Sequence, residues 1–79
     1  MANTVIRVEI KKHFGVISTN DLGWTKELNI VAWNGGKPKY DIREWSPDHA
    51  RMSRGITFSD DEMDAVAKLY ASRTKGDKE

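Results

Sequence analysis

Cysteine is absent from the 79 residues, which excludes a disulfide framework and any zinc site built on thiolates. Histidine is nearly absent. Only His13 and His49 occur, neither with a second ligand at a usable spacing, so no structural metal and no cofactor is expected. No apolar run approaches the roughly 20 residues that cross a bilayer. The opening residues MANTVIRVEIKK lack the apolar stretch and small-residue cleavage site of a secretory signal. The expectation is therefore a cytoplasmic protein, nucleoid-associated if it binds DNA, with no membrane partner. A chain this short forms one domain and hides only about 60% of its unfolded surface. With disulfides and metals removed, self-association is the expected supplement.

A surplus of one charge is also lacking overall, at a net +1, until the chain is divided. Residues 1–59 carry nine Lys or Arg against six Asp or Glu, and residues 60–79 carry four against six. The basic excess thus belongs to the part that reads as strands. In TVIRVEIKKHFGVIST, Ile6, Val8 and Ile10 alternate with Arg7, Glu9 and Lys11, the period of a half-buried strand. Phe14 keeps that parity, but Gly15 follows and Val16 and Ile17 adjoin, so a bulge or bend is expected there, between two strands or within one kinked strand. Asn20 to Gly23 form a turn by composition. WTKELNIVAWN then sets Leu28, Ile30 and Ala32 against Glu27, Asn29, Val31 and Trp33. Asn34-Gly35-Gly36 predicts a tight hairpin, leading through Pro38 into KYDIREW. After the polar connection SPDHARMS, Ile56 and Phe58 in RGITF mark a short fourth strand.

Ser59 followed by Glu62 is a capping box, with Asp60 and Asp61 in the first turn where the helix dipole favours negative charge. Met63, Val66, Ala67 and Tyr70 recur at helical spacing with Leu69 beside them, so the helix is amphipathic and needs an apolar surface. Its wide apolar side, Met63, Val66, Leu69 and Tyr70, can cover its own sheet and also meet a second subunit. Residues 73–79 are polar and read as a flexible tail beyond a single domain at 1–72. The fold class is α+β, a four-stranded antiparallel sheet followed by one C-terminal helix laid on its apolar face.

If Leu28, Ile30, Tyr40, Ile42, Ile56 and Phe58 turn towards the helix, alternation puts Asn29, Val31, Trp33, Lys39, Arg43 and Trp45 on the uncovered face. Indoles among cations suit single-stranded nucleic acid. Unpaired bases stack on aromatic planes, each stack worth about 1–3 kcal/mol, while Lys and Arg follow the phosphates. A duplex offers no free base faces. The same residues also fit a plainer role, since indoles serve as cross-strand packing and an Arg–Trp pair as a local cation–π contact. Trp24, beside the turn, fits that plainer role best. Asp41 opposes an anion site unless Arg43 neutralises it or Asp41 holds that guanidinium in place.

Catalysis has little support. Asp48 and His49 are neighbours in sequence, but no nucleophile, base and orienting partner can be assembled. Asn34-Gly35-Gly36 lacks the Gly-Lys-Ser/Thr ending of a phosphate loop, and a single helix excludes a helix-turn-helix. No enzyme and no small-molecule substrate are expected.

PKYDIREW, followed by RGITFSDDEMDAVAKL, resembles the strand, basic-Gly-Ile strand and single helix of the transcriptional positive cofactor four (PC4) family. GWTKELNIVAWN and SPDHARM look closer still to its bacterial YdbC-like branch. The resemblance covers about residues 5–70. It implies a strongly curved four-stranded antiparallel sheet and a helix, assembled as a homodimer that binds single-stranded DNA with little sequence preference. By position it implies that Arg43 is a DNA-binding residue, with Trp33, Trp45 and Arg54 beside it and Lys26 and Lys39 on the phosphates. The residue reading adds Trp24 and Asn29 as further candidates. The connection before Arg54 is shorter than in eukaryotic relatives and carries one basic residue next to the glycine instead of two. The sequence opens almost at the first strand, without the serine-rich acidic segment of eukaryotic relatives, so the expectation carries over their binding function and not their coactivator role. The alternatives are RNA on the same face and a protein-interaction module in transcription. The setting expected for such binding is transcription, replication or repair.

Overall fold

The computed structural model describes residues 7–73; Ile6 and residues 74–79 of the expected tail lie outside them. Four strands, β1 (Val8–Thr19), β2 (Thr25–Trp33), β3 (Lys39–Trp45) and β4 (Ile56–Phe58), precede one helix, α1 (Asp60–Ala71). The strands pair antiparallel in the order β1-β2-β3-β4. This is the expected α+β architecture.

Local chemistry sets the joints. Asn34 and Gly35 both adopt positive φ, 51° and 76°, and the Gly36 N–H donates to the Trp33 carbonyl at 2.8 Å, the hairpin that Asn-Gly-Gly predicts. In the turn between β1 and β2, the Asn20 side-chain oxygen accepts from the N–H groups of Leu22 and Trp24, and Gly23 takes φ 85°. At α1 the Glu62 N–H donates to Ser59 Oγ while the Ser59 N–H donates to Glu62 Oε1, which satisfies two N–H groups that a helix start leaves without partners.

β1 is one strand, broken in register at three places, between Ile10 and Lys12, His13 and Gly15, and Val16 and Ser18. Each extra residue reverses the side-chain parity. Ile10, His13 and Val16 consequently stand opposite Val31, Asn29 and Glu27, all on one face. Phe14, expected to share parity with Val8 and Ile10, turns to the other face and stacks on Tyr40 at 5.9 Å, with Tyr40 stacked in turn on Phe58 at 6.0 Å.

The two faces differ from expectation. Glu27, Asn29, Val31, Asp41 and Trp45, expected on the uncovered side, are buried, whereas Leu28, Ile30 and Ile42 opposite are only half-buried. Curvature and the connection 46–55 explain the inversion. Arg43 stands opposite Glu27, so Trp33 lies six residues further along β2, about 20 Å away in a flat sheet. The Arg43 guanidinium nevertheless lies 4.6 Å from the Trp33 ring centre. Two side chains lean together over that span only on a concave face. The connection after β3 closes over the same face, with Trp45 bridged to Met52.

The helix does not cover the apolar face within the protomer, contrary to expectation. None of its residues is buried; Val66 and Tyr70 are half exposed or more, and Leu69 is 72% exposed. Its start approaches β3, where Asp60 and Asp64 reinforce the effect of partial burial and raise the Tyr40 phenol above its ordinary value.

Candidate nucleic-acid interface

β3 projects Asp41 and Arg43 from one face because they are two residues apart on a strand. The Asp41 carboxylate, fully buried, accepts from Arg43 Nε on both oxygens at 2.8 and 3.0 Å, and from Nη2 at 2.7 Å. Nη1 donates to the Ser53 carbonyl at 3.2 Å and approaches the Met52 sulfur. The side chain is 11% exposed. Asp41 therefore neutralises Arg43 locally and holds its guanidinium over the Trp33 ring, so the pair presents a composite cation–π surface with few free N–H groups.

Along the face, β2 places a second polar cluster. Glu27 Oε2 accepts from Thr25 Oγ1 at 2.6 Å and contacts His49 Nε2 at 2.9 Å. The Asn29 amide donates to Glu27 Oε1 at 3.2 Å, and its oxygen faces His13 Nδ1 at 2.7 Å. Burial alone would raise the Glu27 carboxyl, yet these bonds from Thr25, Asn29 and His49 outweigh it and hold the carboxyl below its ordinary value. Glu27 is thus a buried anion with its lone pairs satisfied. The two imidazoles meet opposite oxygens of Glu27, and among the described residues no group of three or more carboxylates and histidines is arranged to hold a metal ion.

Each residue singled out in the sequence has a definite place. Trp33 and Arg43 are brought together. Asn29 shares their face but is fully buried, so it acts by holding Glu27 and His13 and does not reach solvent. Trp45 also shares the face but is 4% exposed, because the His49 ring lies over it at 5.3 Å, inclined by 23°. This corrects the expectation of an open Trp45 indole. Lys39, opposite Val31 at the start of β3, is exposed. Lys26 stands opposite Glu44 on the other face. Lys26 and Arg54 border one shallow groove of about 450 Å³ running past Arg43 and Gly55. Lys26, Lys39 and Arg54 take no part in the ion pairs seen among the described residues. Trp24 is half-buried at the turn, its N–H bound to Asn20.

His13, His49 and Glu27 were not legible as a cluster. His13 reaches it only because of the β1 bulges. His49 does so through a self-bonded loop in which Ser46 Oγ and the Ala50 N–H both donate to Asp48 Oδ1 and the His49 N–H donates to the Ser46 carbonyl. The Ser-Pro-Asp turn signal was visible; its destination was not.

A family model described as Transcriptional Coactivator p15 (PC4) matches residues 20–69, the span from the β1–β2 turn through most of α1. The chain is also similar to an uncharacterized protein of Treponema pallidum (strain Nichols). The two are 39% identical over 72 residues, which takes in 91% of this chain and 85% of that relative.

Proposed function

Because the chain belongs to the Transcriptional Coactivator p15 (PC4) family, we propose that it is a homodimer that binds single-stranded DNA with little sequence preference, as a non-enzymatic partner of transcription, replication or repair. The observation that carries this reading is the Arg43 guanidinium held 4.6 Å over Trp33 by a buried Asp41. A cation–indole surface preorganised in this way offers a flat, sequence-tolerant seat to an unpaired base, and all four bases have a face to lay on it. Lys39, exposed on this face, and Lys26 and Arg54, exposed along the groove that runs past Arg43 from the other face, supply charge to the phosphates. Arg43 contributes its remaining N–H groups. Trp24 lies at the margin of the site.

The second subunit follows from the surfaces left open. The α1 side chains Val66, Leu69 and Tyr70 and the sheet residue Ile56 are all half exposed or more, with Met63 half-buried beside them. Placing two copies with these surfaces together removes that apolar area from water.

Tryptophan fluorescence during titration with oligo-dT, at two salt concentrations, tests the binding. Strong quenching that weakens as salt rises is expected, with smaller responses to oligo-dT annealed to oligo-dA and to oligo-U. Equal response to oligo-U would move the reading to RNA. No response to any of the three would overturn nucleic-acid binding and leave the face to a protein partner.

A further inference from the structure

The same face carries a second groove, of about 670 Å³, between β1 and the Thr25–Glu27 end of β2. Ile10, Val16 and Pro47 give it apolar walls, His13 and His49 border it, and Glu27 lies at its floor. Trp45, which alternation would make the stacking platform here, is covered. The outer ring of that stack is His49, 45% exposed, with the indole directly behind it. We infer that His49 is the base-stacking platform at this end of the interface, and that the groove between His49 and His13 seats one nucleobase of a bound single strand. This rests on the proposed nucleic-acid binding and adds a site to it.

Three features support the assignment. First, the ring is fixed from two sides: Nε2 meets Glu27 Oε2 at 2.9 Å, and the flat face is backed by Trp45. A platform held in this way loses little freedom when a base stacks on it. Second, His49 adopts φ 59°, a left-handed conformation that a residue with a Cβ takes at a cost. The Ser46–Arg51 loop holds it there through the bonds of Ser46, Asp48 and Ala50 and a further pair between Ser46 and Arg51. Such conformations persist where surrounding structure over-determines them, and they concentrate at binding sites. Third, the groove is continuous with the face already described. Thr25, Glu27 and Asn29 stand opposite Trp45, Arg43 and Asp41, so a strand lying along β2 passes from Trp33 and Arg43 to His49 without leaving the sheet.

The alternative role for His49 is packing alone, in which the imidazole merely shields Trp45. The two roles separate by experiment. Affinity is measured by fluorescence anisotropy for labelled oligo-dT and for an abasic oligomer of equal length, with the full chain and its His49→Gln and His49→Phe variants. His49→Gln retains a hydrogen-bonding group for Glu27 but has no ring; His49→Phe retains a ring but cannot bond. Thermal melting of each variant establishes that it is folded at the assay temperature. If His49 is the platform, His49→Gln weakens oligo-dT binding roughly tenfold, the lower part of the range for losing one stack. It leaves the abasic oligomer unchanged, and His49→Phe stays close to wild type on both. Unchanged affinity of His49→Gln for oligo-dT would overturn the assignment, as would an equal loss on both oligomers. Tighter binding would overturn it too, since the ring would then be occupying a place the base needs. Wild-type protein that binds neither oligomer removes the functional reading and this site with it, whereas wild-type binding insensitive to His49 removes this site alone.

Discussion

Gly55 runs so close to Arg43 that a Cβ built on it would collide with the Arg43 Cβ and with the carbonyl oxygen of Ile42. Its φ is not in the left-handed region, so the requirement is for space and not for backbone freedom. The approach lets Ser53 accept from the Arg43 guanidinium. Gly55→Ala is therefore expected to destabilise the fold by about 1–3 kcal/mol, the cost of overpacking, and to weaken single-strand binding by shifting Arg43 off Trp33. Urea unfolding and oligo-dT titration of the variant check both. Wild-type values in the two assays would mean that the Arg54–Gly55 segment yields freely.

Asp41 and Arg43 form a buried ion pair, and removing one member leaves the other charged and uncompensated. Losses of about 3–5 kcal/mol follow from breaking pairs of this kind. Asp41→Asn keeps the shape and removes the charge, so its expected effect is a large fall in the urea midpoint. Adding Arg43→Met to it should recover part of the stability while leaving binding weak. A double variant as tight as wild type for oligo-dT would show that the guanidinium has no role in the strand's seat.

Acid should unfold the protein partly through Glu27. Burial raises its carboxyl, but the hydrogen bonds of Thr25, Asn29 and His49 lower it more, and the net position is below the ordinary value of 4.5. A group whose folded pKa is depressed adds stability that is present above its unfolded value and lost as pH falls through the folded one. Wild-type stability should therefore decline below about pH 4.5 more steeply than that of Glu27→Gln, which lacks the titrating group. Parallel curves from pH 7 to pH 3 would place the acid sensitivity elsewhere.

The features that sequence predicts well here are those fixed by neighbours in the chain. Asn34-Gly35 demands positive φ at both residues and adopts it; Ser59 and Glu62 close a capping box within one helical turn. What alternation misjudged depends on long-range geometry. Three bulges in β1 turn a period of two into steps of three, so His13 joins Ile10 and Val16 while Phe14 crosses to Tyr40. Trp45 follows its parity and is buried all the same, because a loop placed later in the chain folds His49 over it. Period-two reasoning identifies a face; it does not identify what covers the face. The apolar stripe of α1 was equally plain, and its surface within the protomer was not, since none of its residues is buried.

That unpartnered helix yields the most direct test of the assembly. Leu69 is the most exposed large apolar side chain of α1, so a charge there costs a lone protomer almost nothing. In a dimer built on this surface the same charge would be taken out of water without a partner, at several kcal/mol. Leu69→Glu is accordingly expected to convert a dimer into a monomer in analytical ultracentrifugation, with the protomer's secondary structure preserved by circular dichroism. The variant should also bind oligo-dT more weakly, because two linked faces engage one strand with a raised effective concentration that a single face lacks. A wild-type protein that sediments as a monomer at all concentrations would remove the dimer. A Leu69→Glu protein that remains dimeric would move the interface away from α1, towards the exposed apolar residues of the β1–β2 ribbon, Ile17 and Leu22.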